Sequence, residues 1–176
     1  MTNVAGHGQS LPRDLSLAKD RSLLQRFVPE LQILRLKHFT STTHIEGIGL
    51  QAEIYATFSP DCAAATAACG LLVAKGDTST AIHIRQATGL VEVDGTKQNN
   101  FAVRAGPIPP ANGAGGYDMH VYVDHSMLEI IVNNATAFVV YIAPPENADT
   151  VAFADGTSGT LDAWALATAN PNEEGG

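Results

Sequence analysis

The sequence is short of charge, of aromatic rings and of cysteine. Charged residues make up 16% and aromatic residues 6% of its 176 positions, and there are two cysteines. Positive charge is the scarcest: 10 Lys and Arg stand against 18 Asp and Glu, a formal net charge of −8. A nucleic-acid binder needs Lys and Arg to displace counterions from phosphates, and a membrane-surface binder needs a basic patch, so neither class fits. Cys62 and Cys69 are too few for a disulfide scaffold and lack the second pair of a zinc site. A local disulfide in an oxidising compartment and two free thiols both remain open, and the compartment with them. The longest apolar run, Ala63 to Ala74, is broken by Thr66 and Gly70. It is about half the roughly 20 residues that a bilayer span requires. Met1 to Gln9 has neither the basic nor the apolar region of a targeting signal. The chain reads as soluble, with its localisation unassigned.

Hydrophobic residues make up 45%, enough to bury a core and to argue against disorder. The length suits one domain. Catalytic folds that act on sugars often run to about 250 residues or more. A chain this short should carry a compact site of its own or be part of something larger. The first 36 residues hold Arg13, Lys19, Arg21, Arg26 and Arg35, half of all the basic residues. Gly8 to Leu17 predicts an extended strand, and Leu23 to Val28 a second; Pro29 then argues against a helix running through Leu23 to Leu36.

From His44 onward the pattern is β. Ile48, Leu50, Ala52, Ile54, Ala56 and Phe58 share one parity, which describes a half-buried strand ending at Ser59-Pro60-Asp61. Short strands are predicted at Gly70 to Ala74, Thr80 to Arg85, Leu90 to Val93, Met119 to Val123, Met127 to Val132, Ala135 to Ile142, Val151 to Ala154 and Leu161 to Thr168. Gly106 to Gly116, rich in Pro and Gly, reads as a surface loop. Asn133-Asn134 is a hairpin signal, because Asn tolerates positive φ. About ten short strands without αβ alternation are the signature of an all-β fold, an antiparallel β-sandwich of two sheets.

Motifs that carry chemistry are mostly absent. Gly47 to Ala52 fits a loose G-x-G-x-x-A pattern, but a strand follows where a dinucleotide site needs a helix. Asp124-His125-Ser126 holds the three triad residue types, yet adjacent side chains diverge, so a polar turn is the better reading. His120 and Asp124 share a strand face but lie about 13 Å apart at ~3.3 Å per residue, too far for one metal. No metal site and no cofactor are expected. Among the carboxylates, Asp94, Asp118 and Asp124 fall at strand ends, whereas Glu129 interrupts the run Met127 to Val132. If Leu128, Ile130 and Val132 face the core, then Met127, Glu129 and Ile131 form an unusually apolar outer face. That face is either exposed or loop-covered, or it awaits another domain or chain. Asn134-Ala135-Thr136 is an N-x-T tripeptide at a hairpin tip; alone it does not establish a glycan, and no leader-like segment precedes it.

Two segments carry a family resemblance. The first is QSLPRDLSL, Gln9 to Leu17, continuing to LLQRFVPELQILR, Leu23 to Arg35. The second is VYVDHSMLEIIVNN, Val121 to Asn134, continuing to VAFADGTSGTLDAWAL, Val151 to Leu166. Both resemble the end of the chain in glycoside hydrolase family 32, the invertase, inulinase, levanase and fructan-hydrolase group. There a SLPRxLxL strand leaves the catalytic domain and leads into a C-terminal β-sandwich. The family's D-x-S-x-x-E-x-F-V-N hairpin is matched by Asp124, Ser126, Glu129, Val132 and Asn133, with Ile131 at the aromatic position. Its closing L-x-x-W is matched by Leu161 and Trp164. Val93 to Thr96 resembles the family's VDRT, with Gly95 in place of Arg. After the hairpin, Val139 to Pro144 departs from the family's TSRIYP, so any contact made by that Arg is missing.

The resemblance implies that catalysis belongs to an N-terminal five-bladed propeller, with carboxylates in W-x-N-D-P-N-G, R-D-P and E-C motifs. None of these occurs here: Arg13-Asp14 is not followed by Pro, and no Glu precedes a Cys. No catalytic residue is therefore assigned to this chain. The expected organisation is a flexible segment at 1–8, inter-domain strands and linker at 9–36, the sandwich module at 37–169 and a flexible tail at 170–176. Pro12, Asp124, Ser126, Asn133 and Trp164 are expected as structural residues of the family motifs. Arg13, Met127, Glu129 and Ile131 are the candidates for contact with a propeller or another subunit. An alternative is a freestanding carbohydrate-binding sandwich, with Tyr55, Tyr117, Tyr122, Tyr141 and Trp164 as sugar platforms for a fructoside or fructan. For Trp164, in the closing strand, a core position is the better expectation. At 176 residues the chain is long enough for one sandwich and too short for the two-domain enzyme it resembles.

Overall fold

Alternating apolar residues build two antiparallel sheets that face each other across one core. The structure, a computed structural model, describes residues 9–64, 66–98 and 103–167. The flexible segments expected at 1–8 and 170–176 lie outside the described residues. The first six-stranded sheet has the order β12 (Thr136–Tyr141), β11 (Met127–Val132), β10 (Tyr117–Asp124), β5 (Gln51–Phe58), β14 (Gly159–Leu166), β3 (Arg35–Ser41). The second has the order β4 (His44–Ile45), β13 (Thr150–Phe153), β6 (Ala68–Lys75), β7 (Thr80–Arg85), β8 (Leu90–Asp94), β9 (Arg104–Pro107). A separate hairpin, β1 (Arg13–Leu17) with β2 (Leu23–Phe27), and a 3-10 turn at Pro29–Leu34 precede them. No described helix is long and apolar enough to cross a membrane.

The parity read in β5 is the one that faces the core. Ala52, Ile54, Ala56 and Phe58 are buried. Ile54 lies opposite Val121 on one side and Ala163 on the other, and Val121 opposite Ile130, so one continuous apolar row crosses four strands. From the other sheet, Leu71, Ile82 and Val93 form the matching row. Each such side chain contributes about 2 kcal/mol of burial. Asn133 (φ 45°) and Asn134 (φ 57°) turn β11 into β12, as their composition predicts.

Three strands escaped the sequence pattern. β3 is an edge strand with Lys37 and His38 in the solvent, so it lacks the alternation of a half-buried strand. β4 is too short to show a period. β9 takes Gly106 and Pro107 out of the segment read as loop; an edge position tolerates a proline, which has no N–H to donate. Gly47 and Gly49 both have positive φ, and strand β5 follows them, so no phosphate-binding helix start exists there.

Cys62 and Cys69 form a disulfide, with Cα atoms 5.7 Å apart, and both are buried in the core. This decides between the two states left open by composition. The bond ties the 3-10 turn Pro60–Ala63 to the start of β6. Closing so short a loop stabilises by about 2–3 kcal/mol in the chain-entropy account. Cys62→Ser/Cys69→Ser is expected to lower stability by that amount, and urea unfolding with and without reductant checks it: reductant should shift the midpoint of the wild type only.

Candidate functional site

The outer face of the first sheet carries the polar groups that a β-sandwich normally leaves in water. Cross-strand register places Glu129, Tyr122, Glu53, Trp164 and His38 in one row and Ile131, His120, Tyr55, Asp162 and Thr40 in the next. Much of this face is sealed. Glu53 is 0% and Glu129 1% exposed, and Tyr122 and Ile131 are buried with Phe27 in a second, smaller apolar cluster.

The cover is the chain's own N-terminal arm. Phe27 of β2 meets His120 edge-on at 5.0 Å and Tyr122 at 4.7 Å. Leu11, Leu31 and Leu166 pack around this contact. The arm also brings the counter-charges. Arg13 Nη2 donates to Glu129 Oε2 (2.6 Å), and the Leu11 N–H donates to Glu129 Oε1 (2.6 Å). Arg13 Nη1 donates to Gln25 on the paired strand, which orients the guanidinium. At the other end of the arm, Arg35 donates from Nε and Nη2 to the two oxygens of Glu53 (2.7 and 2.6 Å). His120 Nε2 lies 2.8 Å from Glu53 Oε1. Burial pushes the Glu53 carboxyl up, but the hydrogen bonds from Arg35 and His120 outweigh it and hold the group at about 2. Burial and the charge of Glu53 push the Tyr122 phenol well up.

These contacts relocate the expected site residues. Glu129 and Ile131 present no free surface to another domain, because residues 9–34 cover them; Met127 is half-buried beside them. Arg13 is the partner of Glu129 within the chain. A carboxylate inside an apolar run needs a counter-charge, and here one comes from the N-terminal arm. Trp164 is also corrected. It sits on the outer face, stacked on His38 (centroids 4.5 Å apart) with the Arg35 guanidinium 3.8 Å from its ring centre. Its neighbours Leu161 and Ala163 take the inward parity of β14.

The remaining motif residues shape turns. The Pro12 carbonyl accepts from Val28, and the Ser126 carbonyl from Ile142. Asp124 is exposed beside His125, whose φ of 50° makes the β10–β11 turn. The Asn133 side chain accepts from the Asp118 N–H (2.7 Å) and donates to the Pro110 carbonyl (2.8 Å), pinning the long loop to the hairpin. Asp94 takes two hydrogen bonds from Thr96, which lower its pKa. A glycosidase carboxyl pair must flank an open space that admits the sugar. Glu53 and Glu129 are instead buried against Arg35 and Arg13, an arrangement that holds segments together. Among the described residues, no three His, Cys, Asp or Glu side chains gather as a metal site.

Glu53 and Phe27 carry no motif in the sequence, Arg35 is marked there only as one of the N-terminal cations, and His120 only as a rejected metal ligand. One signal was available: Glu53, like Glu129, sits among apolar neighbours, and half the cations lie in the first 36 residues.

Glu53 gives the acid sensitivity of this face. Its proton binds more weakly in the folded chain than in the unfolded one, whose value is near 4.5. Its contribution is fully present above about pH 4.5 and is lost as pH falls towards about 2, amounting to about 3 kcal/mol. Urea midpoints measured down that range should fall for the wild type and fall less steeply for Glu53→Gln. Arg35→Ala, which strands a buried carboxylate, should cost about 3 kcal/mol at neutral pH.

Residues 29–167 match the family described as "Glycosyl hydrolases family 32 C terminal". No curated protein matches the chain. Among solved structures, the chain is similar to fructan 1-exohydrolase IIa from Cichorium intybus, at 20% identity and TM-score 0.74, over 92% of this chain and 41% of that one. It is similar to exo-inulinase from Aspergillus awamori at 16% identity and TM-score 0.74, over 94% of this chain and 38% of that one. It is similar to sucrose-6-phosphate hydrolase from Lactobacillus gasseri at 21% identity and TM-score 0.71, over 88% and 33%. At such identities the likeness is one of fold, and this chain spans between 33% and 41% of the length of these three proteins.

Proposed function

The chain belongs to the glycosyl hydrolase family 32 C-terminal domains, the sandwich of β-fructosidase-type enzymes, and from that premise we propose that it is an accessory module. Its partner is a catalytic propeller or another subunit, the parent reaction is hydrolysis of sucrose or a fructan, and the module alone performs no hydrolysis. One observation carries this reading. Five of the nine exposed large apolar side chains among the described residues lie in the N-terminal arm and its junction with β3: Leu15 (65%), Leu17 (69%), Leu23 (53%), Ile33 (89%) and Leu36 (68%). The arm therefore buries one end of its hairpin on the sheet and holds apolar side chains in water at the other. Water-exposed leucines clustered on one segment mark a surface that is covered in the assembled protein. The contact face moves accordingly, from the Met127/Glu129/Ile131 strip to the hairpin that shields it. Leu15 also lines a groove of about 410 Å3 with Val139 and Pro12, which extends the face to β12. Residues 9–36 serve here as the lead-in from the catalytic domain and 37–169 as the module proper.

A freestanding carbohydrate-binding role has one observation in its favour, the outer-face position of Trp164. Against it, Trp164 is already packed by His38 and Arg35, and Tyr117 and Tyr122 are buried. Tyr55 and Tyr141 alone of the five aromatic candidates are exposed.

The isolated chain is expected to show no turnover of sucrose or inulin and no saturable binding of inulin or levan. Turnover lost on replacing a carboxylate of this chain would overturn the accessory reading; saturable binding abolished by Tyr55→Ala would favour the second. Leu15→Ser/Leu17→Ser should reduce self-association and binding of a hydrophobic dye without lowering the unfolding midpoint, because both side chains are already in water.

A further inference from the structure

The hairpin tip between β11 and β12 carries a feature that the accessory role does not use. Its two central residues, Asn133 and Asn134, do different work. Asn133 turns its side chain inward, to the Asp118 N–H and the Pro110 carbonyl. Asn134 engages the fold through its backbone: its carbonyl accepts from the Gln25 N–H at 2.7 Å. Its residue is exposed at the tip. Ala135 and Thr136 follow, completing the one N-x-S/T tripeptide of the sequence. The turn needs positive φ at Asn134, which Gly or Asp would also supply, so the backbone does not by itself require an amide there.

A second, independent observation concerns the compartment. Cys62 and Cys69 are joined and buried in the core. Such a bond forms and persists where the surroundings are oxidising, as in the secretory lumen. That is also where asparagine acceptors in N-x-S/T tripeptides meet their transferase. Beside the tip lies an open cleft of about 500 Å3, lined in part by Lys19, Asp20, Ser22, Pro110 and Asn112. It places polar groups and an apolar proline next to the acceptor, with open space beside it.

We propose that Asn134 is an N-glycosylation site, modified when the chain enters the lumen of a eukaryotic secretory pathway. The donor is a lipid pyrophosphate-linked oligosaccharide. The bond from the anomeric carbon of its first sugar to the phosphate oxygen breaks. A bond from that carbon to Asn134 Nδ2 forms, the amide gives up one proton, and the lipid pyrophosphate leaves. No oxidant or reductant is involved. The glycan projects from the hairpin end of the first sheet and lies against the cleft. The inference does not depend on the catalytic partner.

The test is translation of the full chain behind a secretory leader in the presence of eukaryotic microsomes. A control acceptor tripeptide added after Gly176 reports entry into the lumen. The expected result is two glycans, both removed by an amidase that converts the modified asparagine to aspartate, with peptide mapping placing one conversion at Asn134. Asn134→Gly should lose one glycan and keep its fold, since Asn-Gly is a favoured pair for this turn. Thr136→Ser should retain modification. Chains glycosylated at the control position but bare at Asn134 would overturn the proposal. So would a second glycan that survives Asn134→Gly.

Discussion

Two carboxylates buried on the outer face of a sheet impose the main constraint on this molecule. Glu53 and Glu129 occupy one cross-strand row, separated by Tyr122, and neither is left in water. A buried carboxylate without a partner costs several kcal/mol, so each must be met by a cation. Both cations come from outside the strands that carry the carboxylates, Arg13 from the N-terminal hairpin and Arg35 from the first residue of β3. The arm is thereby pinned at both ends. Phe27 and Leu31 then fill the space between, against His120, Tyr122 and Ile131.

The same pinning explains the surface. With Arg13 and Phe27 turned onto the sheet, the residues of like parity further along the hairpin, Leu15, Leu17 and Leu23, continue past the sheet into solvent. The arm is thus both a lid on one sheet and an apolar outward surface. Arg35 and His120 hold Glu53 as an anion, and the ion pairs of Glu53 with Arg35 and of Glu129 with Arg13 join segments within the chain.

Much of the fold was legible in the sequence because burial and periodicity coincide in the inner strands. Ile54 stands between Glu53 and Tyr55, Val121 between His120 and Tyr122, and Val93 between Glu92 and Asp94, and a strand hides such residues by turning one face to the core. The Asn133-Asn134 turn and the short strand spacing follow from the same local rules. β3 and β9 were hidden because an edge strand owes its pairing to a neighbour that sequence does not name. Of the site, Glu129 stands out in the sequence as an anomaly within an apolar run. The identity of its partner was not legible, since Arg13 lies 116 residues away and only the fold brings them together.

The sequence by itself determined the all-β class, the positions of the inner strands, the hairpin at Asn133-Asn134 and the resemblance to a C-terminal sandwich. Those are consequences of side-chain alternation and turn stereochemistry, which act over a few residues. Only the tertiary structure decided that the two cysteines are joined and that Trp164 lies outside the core beside Arg35. It also decided that the apolar strip of β11 is covered by the chain's own arm. Each of these depends on long-range pairing and on whether a charge finds its counter-charge, and neither can be read from a local pattern.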